Sequence, residues 1–326
     1  MTRKDILSGS MANNMAEQIF ILGKNIRLIG FVTFSDGESK AQILHGDNNT
    51  TPIAGGTFDN TIKLEASEAV LSSSLNSNTA IIDLCLSLNA LSYDDDVQSI
   101  RLIIPYMGYA RQDRQNIKGE SISVIAILRM ILAQTNKIKS ISFCDIHNPS
   151  ILKELPSDIA YKNIMPLAMK ENYLIFSQYK EIDIENAVIV ASDMGGVHRA
   201  SVFNKAMSPK YDIAIINKVR DGAGKAKSIS IDGENVNGKV CAIIDDIVDS
   251  AGTLCSSAEL LKENGATEIY AFVTHGIFSG DAIEKINNSP IKKIFVTDSP
   301  YFKTYADSEK IEPVYIPCIS NPIWFN

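Results

Sequence analysis

The segment Val240-Cys241-Ala242-Ile243-Ile244-Asp245-Asp246-Ile247-Val248-Asp249-Ser250-Ala251-Gly252-Thr253-Leu254 concentrates chemistry in this chain. An apolar, β-branched run ends in two adjacent acids, and a turn of small residues leads to a helical pattern beginning near Thr253. In an open parallel sheet, ligands sit in the crevice beyond the carboxyl ends of the strands. A helix starting there presents backbone N–H groups and the positive end of its dipole, which suit a phosphate. Asp249, Ser250, Ala251, Gly252 and Thr253 form the candidate phosphate anchor. Its small residues let the backbone approach closely, and its hydroxyls can donate to phosphate oxygens. Asp245 and Asp246 are acceptors suited to two vicinal ribose hydroxyls. Taken alone, Asp-Ser-Ala-Gly-Thr reads equally as a helix N-cap made by Asp249 or Ser250. The apolar run and the Asp-Asp pair ahead of it favour a bound phosphoribosyl group.

Other segments carry polar groups at the ends of apolar runs. Ile104-Pro105-Tyr106-Met107-Gly108-Tyr109-Ala110-Arg111-Gln112-Asp113-Arg114 ends a strand at a proline, exposes two tyrosines and continues into a loop with two arginines. Arginine forks match polyphosphate oxygens, and tyrosine rings can flank a base. An ordinary solvated basic loop does not explain so concentrated an order of residue types. Phe143-Cys144-Asp145-Ile146-His147 is a strand ending in a carboxylate and an imidazole, and a lone histidine is more often a structural hydrogen-bonder than a ligand. In Ala191-Ser192-Asp193-Met194-Gly195-Gly196 a hard oxygen ligand at a strand end precedes Gly-Gly and a helix, which fits a magnesium–phosphate site. An N-cap by Asp193 is compatible with that role. Phe34-Ser35-Asp36-Gly37-Glu38 is a polar turn of a common kind. Ile215-Ile216-Asn217-Lys218-Val219-Arg220 ends a strand and opens a loop (Asp221 to Lys227) whose glycines suit a lid over substrates.

These loops need a scaffold, and the apolar pattern supplies one. From Ile182 onward, short β-branched bursts at Ala187–Val190, Ile213–Ile216, Val240–Ile244, Ile269–Val273 and Ile294–Val296 alternate with helical stretches at Val197–Met207, Thr253–Lys262 and Asp281–Ile286. That alternation predicts βαβ crossovers and a parallel sheet covered on both faces. The first half repeats the theme, with strands at Ile100–Ile104 and Ile138–Phe143 and helices at Thr79–Leu91 and Ile122–Gln134. The stretch Thr50–Ser77 reads as a loop excursion. The expected organisation is an α/β chain of two similar domains, residues 1–160 and 161–310, each a mainly parallel sheet flanked by helices. A tail, 311–326, is expected to pack back on the first domain. At 326 residues and 45% apolar content the chain can fill two cores. A net charge of −7 with interspersed signs argues against a nucleic-acid surface. Five scattered cysteines without CxxC spacing argue against disulfide or zinc scaffolds. No apolar run approaches the roughly 18 residues of a membrane span. A cytoplasmic protein without membrane contact is expected.

Together the segments resemble those of the class I ribose-phosphate pyrophosphokinases, whose domains have the type I phosphoribosyltransferase fold. The resemblance implies transfer of diphosphate from Mg-ATP to the anomeric hydroxyl of ribose 5-phosphate, giving 5-phosphoribosyl 1-diphosphate (PRPP) and AMP. It implies that Arg111, Gln112, Asp113 and His147 bind ATP, and that Asp36, Gly37 and Glu38 contact the adenine from a neighbouring subunit. Ribose 5-phosphate falls to Asp245, Asp246 and Asp249 to Thr253, Mg2+ to His147 and Asp193, and stabilisation of the transferring group to Lys218 and Arg220. A homo-oligomer, hexameric or otherwise built from dimers, is implied too. Departures are present: Thr33 stands where the family has arginine, Val219 replaces the middle arginine of Asp-Lys-Arg-Arg, and Asn148-Pro149-Ser150-Ile151 replaces the usual Ala-x-Gln-Ile. Residues 46–78 are barely recognisable as family sequence, and the tail lacks the closing helix. A phosphoribosyltransferase consuming PRPP, or a catalytically silent regulatory subunit, remain alternative readings.

Overall fold

The computed structural model describes residues 18–22, 25–33, 38–43, 52–53, 56–57, 67–166, 186–206, 211–220, 226–297 and 308–314. The chain divides into two compact units between Ile164 and Met165.

The first unit contains β1 (Gln18–Leu22), β2 (Asn25–Thr33), β3 (Ser39–Ile43), a two-residue hairpin of β4 (Pro52–Ile53) and β5 (Gly56–Thr57), β6 (Glu68–Ser72), β7 (Ser99–Ile104), β8 (Ile138–Cys144) and β9 (Ala160–Ile164). Its seven-stranded sheet has the order β3-β2-β1-β6-β7-β8-β9. The β3 to β6 side is antiparallel, whereas β6, β7, β8 and β9 run parallel. Helix α1 (Asn78–Ser92) crosses from β6 to β7, and α2 (Ser123–Leu132) from β7 to β8. Ser77 caps α1 by accepting from the Ala80 N–H at 3.1 Å. Helical spacing brings Ile81, Leu84, Leu88 and Leu91 of α1, and Val124, Leu128 and Ile131 of α2, into one core with Leu71, Leu102 and Ile141 of the strands. β6 lies inside the stretch read as a loop from sequence. It is a central strand whose Ala69 and Leu71 are fully buried, hidden because its apolar run is brief and bounded by serines. The domain boundary expected at 160/161 would cut β9, which pairs with β8 from Ala160 to Ile164.

The second unit orders its sheet β12-β11-β10-β13-β14-β15-β16, from β10 (Ala187–Ala191), β11 (Asp212–Arg220), β12 (Ala226–Gly233), β13 (Val240–Val248), β14 (Glu268–Gly276), β15 (Lys293–Thr297) and β16 (Ile311–Val314). All neighbours are parallel except β11 and β12. Alternate residues feed two cores on opposite faces. Val188, Val190, Cys241, Ile243 and Ala271 pack against α4 (Gly252–Glu263) and α5 (Ala282–Asn288). On the other face Ile189, Ala191, Ala242, Ile244 and Phe272 pack against α3 (Val197–Ala206). Burial on both faces is why these strands are continuously apolar rather than alternating.

Three features here differ from the sequence expectation. β11 runs through Lys218 and Arg220 into an antiparallel hairpin with β12, so Ala226 and Lys227 belong to a strand and not to the loop. β13 continues past the Asp-Asp pair to Val248, because β14 pairs with it as far as Gly276. Ile311–Val314, placed in a tail on the first domain, pairs with β15 of the second sheet instead. Its apolar ends, Ile311 and Val314, enter the two cores of that unit. Residues 315–326 lie outside the described residues. Among the described residues no helix is long and apolar enough to cross a membrane.

The Phe295 ring is fully buried and stacks on Phe272 with ring centroids 4.8 Å apart. Phe295→Ala is expected to destabilise the second unit by about 3–5 kcal/mol, measured by denaturant unfolding.

Candidate functional site

β10 sits mid-sheet. From it the chain moves outward to β11 on one side, and it later returns to β13 on the other side. Order reverses between β10 and β13, and such a switch point leaves a crevice beyond the carboxyl ends of the two strands. Asp193 follows β10, and Asp249 to Thr253 follow β13, so both segments leave the sheet at this crevice.

The turn after β13 leads directly into a helix start. α4 begins at Gly252 with Ala251 as N-cap, in the left-handed region at φ 59°, and no side chain caps the helix. The cap foreseen from Asp249 or Ser250 is therefore not made. Instead the Asp249 carboxylate accepts from the Ser279 hydroxyl, and the Ser279 N–H donates to the Asp249 carbonyl at 3.1 Å. Ile277 N–H donates to the Val248 carbonyl at 2.8 Å, and Lys285 Nζ reaches the Ser250 carbonyl at 3.5 Å. The loop after β14 thus braces the turn that leads into α4.

Beside it, Asp246 is buried and lies 3.6 Å from the Arg199 guanidinium of α3. Asp245 accepts from the Ser192 hydroxyl, and its Oδ1 also accepts from the Asp246 N–H at 2.9 Å. Burial, followed by the adjacent Asp246 charge, pushes the Asp245 carboxyl up from 3.8 to about 8, with Ser192 and Arg199 acting in the opposite direction. Asp193 is exposed, and one of its oxygens accepts from the Gly196 N–H at 2.9 Å.

In the first unit, the loops after the neighbouring parallel strands β7 and β8 carry Arg111, Gln112, Asp113 and His147. Gly108 passes so close to Leu75 that an added Cβ would lie 2.3 Å from the Leu75 carbonyl oxygen. Tyr109 donates from its hydroxyl to Asn78 Oδ1 at 2.6 Å, at the start of α1. Tyr106, expected to be exposed, is buried, because its backbone carbonyl is tied to the Leu75 N–H at 2.8 Å. Arg111 and Gln112 are exposed, and Ser123 Oγ donates to Gln112 Oε1 at 2.7 Å. His147 is exposed as well. The Asp113 carboxylate faces inward: its side chain is 4% exposed and pairs with Arg114 at 2.8 Å. That guanidinium, more than its other neighbours, holds the carboxyl below the usual range.

Among the described residues, four non-glycine residues have positive φ: Tyr109, Asp145, Ala251 and Phe278. They lie in the four loops that follow β7, β8, β13 and β14. Such strain persists where surrounding contacts over-determine the backbone, and it concentrates at functional sites.

Lys218 and Arg220 sit on the β11–β12 hairpin opposite Ile229 and Ala226, with side chains outside the described residues. Asp36 and Gly37 also lie outside them, and Glu38 is exposed just before β3. Among the described residues no three His, Cys, Asp or Glu side chains gather into a metal cluster. Sequence reasoning missed Ser192, Arg199, Ser279 and Lys285. Two carried a signal: Ser192, in the segment that leads to Asp193, and Ser279, in the polar turn Phe278-Ser279-Gly280-Asp281 after an apolar strand.

Comparison with known proteins adds an independent line. Two family profiles match: the N-terminal domain of ribose phosphate pyrophosphokinase over residues 5–134, and the phosphoribosyl synthetase-associated domain over residues 208–321. Ribose-phosphate pyrophosphokinase of Rhizobium meliloti is 36% identical over 236 residues, 71% of this chain and 70% of the relative. Its counterpart in Aquifex aeolicus is 31% identical over 295 residues, 90% and 86% of the two chains. The solved phosphoribosylpyrophosphate synthetase of Mycobacterium smegmatis shares the fold, with a TM-score of 0.70 at 20% identity over 91% of this chain and 89% of that one.

Two outcomes test this geometry. Because the folded state holds the Asp245 proton to about pH 8, stability should fall as pH rises from about 4 to about 8. Asp245→Asn should flatten that slope and raise the melting temperature at the alkaline end of the window, followed by thermal unfolding across pH. Gly108→Ala should push the loop from Leu75 and cost about 1–3 kcal/mol, read in thermal unfolding.

Proposed function

The chain belongs to the ribose-phosphate pyrophosphokinase family, and we propose that it joins diphosphate from Mg-ATP to the anomeric hydroxyl of ribose 5-phosphate, releasing PRPP and AMP. The observation that carries the reading is the turn after β13. It opens at the switch point, its helix start bears no side-chain cap, and a second loop braces it from Ser279. That arrangement suits a terminal phosphate better than a structural cap would.

In this reading Asp249 to Thr253 anchor the 5-phosphate by backbone N–H and hydroxyl donors. Asp245 and Asp246 accept from the ribose hydroxyls and hold the sugar with its anomeric hydroxyl presented for attack on the β-phosphorus. Arg199 stabilises the Asp246 charge. Arg111 and Gln112 grip ATP, with Asp113 in the same loop, and Lys218 and Arg220 spread the charge that develops as AMP departs. No covalent enzyme intermediate is required, so the work is positioning and charge neutralisation.

Asp193 fits magnesium, and His147, exposed in the first unit, is proposed as a further ligand. The carboxylate is a hard oxygen donor exposed at a strand end, with the Gly196 N–H holding one oxygen. Magnesium keeps several waters and phosphate oxygens, so one or two protein ligands suffice, and a three-residue cluster is not needed. When bound, the ion neutralises polyphosphate charge. We further propose a homo-oligomer in which Asp36, Gly37 and Glu38 meet a neighbour's nucleotide. Cys85, Cys241 and Cys255 are buried free thiols, which accords with a reducing cytoplasmic setting.

With Mg-ATP and ribose 5-phosphate, AMP and PRPP should appear in equal amounts, and Lys218→Ala should lower turnover by about a hundredfold or more. A wild-type protein that yields no AMP, yet forms a nucleotide from PRPP and a base, would overturn the reading.

A further inference from the structure

Asn148 follows His147 directly and stands where the chain leaves the family's usual run. Its side chain makes contacts in two directions. Asn148 Oδ1 accepts from the Ser150 N–H at 3.0 Å and from Ser150 Oγ at 2.7 Å, capping the 3-10 helix Pro149–Glu154. Asn148 Nδ2 donates to Asp113 Oδ2 at 2.5 Å, across 35 residues of chain. The same Asp113 carboxylate accepts from Arg114 Nε at 2.9 Å and from the Arg114 terminal nitrogen at 2.8 Å.

Asp113 is therefore an inward-facing carboxylate shared by two loops. One carries Arg111 and Gln112 after β7, and the other carries His147 after β8. Apolar anchors hold each loop to the core, among them Ala110 on one and Ile146 and Ile151 on the other, while the polar junction itself borders a cavity of about 510 Å³ lined in part by Asp113, Ser121, Ile122, Ser150 and Ile151. Core packing seats each loop separately, and the charge-assisted hydrogen bond from Asn148 to Asp113 ties one polar tip to the other.

We propose that Asn148 is a positioning residue for ATP: through Asp113 it locks the Arg111–Gln112 loop to the His147 loop, so that the nucleotide meets a preassembled set of groups. This rests on the reading of those loops as the ATP side. Preorganisation of this kind appears in affinity, since a loop fixed beforehand loses less entropy on binding.

Two substitutions separate the two jobs of the side chain. Asn148→Ala removes both the cap and the donor. Asn148→Asp keeps an equally good cap but turns an acidic oxygen toward Asp113 in place of the N–H. Binding of ATP and of ribose 5-phosphate would be measured separately by calorimetry with magnesium, at about pH 8, well above the carboxylate range, with thermal melting alongside. Asn148→Asp is expected to weaken ATP about tenfold, to leave ribose 5-phosphate affinity unchanged and to melt close to wild type. Asn148→Ala should weaken ATP similarly and melt lower. If Asn148→Asp binds ATP as the wild type does, the residue is only a helix cap and the inference falls. Equal weakening of both ligands would likewise overturn it, as general disruption. A wild-type protein that binds ribose 5-phosphate but no ATP removes the ATP reading of the loops, and the inference with it.

Discussion

β10 and β13 run parallel, with Ala187 beside Val240 and Ala191 beside Ile244, and the crevice beyond their carboxyl ends depends on that pairing. Strands adjacent in space but separated by two intervening strands in sequence must send their loops to opposite sides, and a crevice opens between them. Parallel pairing is affordable only under cover on both faces, which the two cores of the second unit supply. The apolar runs at Ile189, Ile243 and Phe272 are thus conditions for the site as much as for the fold.

Charge placement follows from the same pairing. Asp245 and Asp246 end up beside the segment leaving β10, so Ser192 reaches one and Arg199 the other. Two adjacent carboxylates at the edge of a core repel, and burial raises the cost of charging them. One guanidinium and one hydroxyl offset part of that cost. Burial and the neighbouring Asp246 charge therefore keep the Asp245 carboxyl protonated to about pH 8.

The two units use one device with different loops. Each places its polar groups on loops after parallel strands, and each holds those loops by contacts from behind. Ser279 holds Asp249 in one unit, and Asn148 holds Asp113 in the other. The left-handed residues Tyr109, Asp145, Ala251 and Phe278 mark where the backbone has been bent to do so.

Much of this was legible from residue order. Apolar bursts at Ile100–Ile104, Ala187–Val190 and Ile269–Val273 located strands because burial on both faces demands such runs, and helical spacing located α1, α2 and α4. The Asp-Asp pair and the small-residue turn marked where β13 gives way to α4, because small residues at a strand end suit a tight turn into a helix. Other features depend on neighbours distant in sequence. β6 has a single β-branched residue, Val70, in its apolar run and becomes a central strand only through β1 and β7. β13 extends past Asp246 because β14 offers it partners, and Ile311–Val314 is a strand because β15 is there to pair. Arg199, Ser279 and Asn148 gained their roles in the same way. A local pattern records what a residue can do, whereas pairing, burial and the partner of a buried charge are set by what folding brings beside it. By itself the sequence determined that a turn of small residues follows two acids at the end of a buried strand; only the tertiary structure decided which groups hold that turn in place.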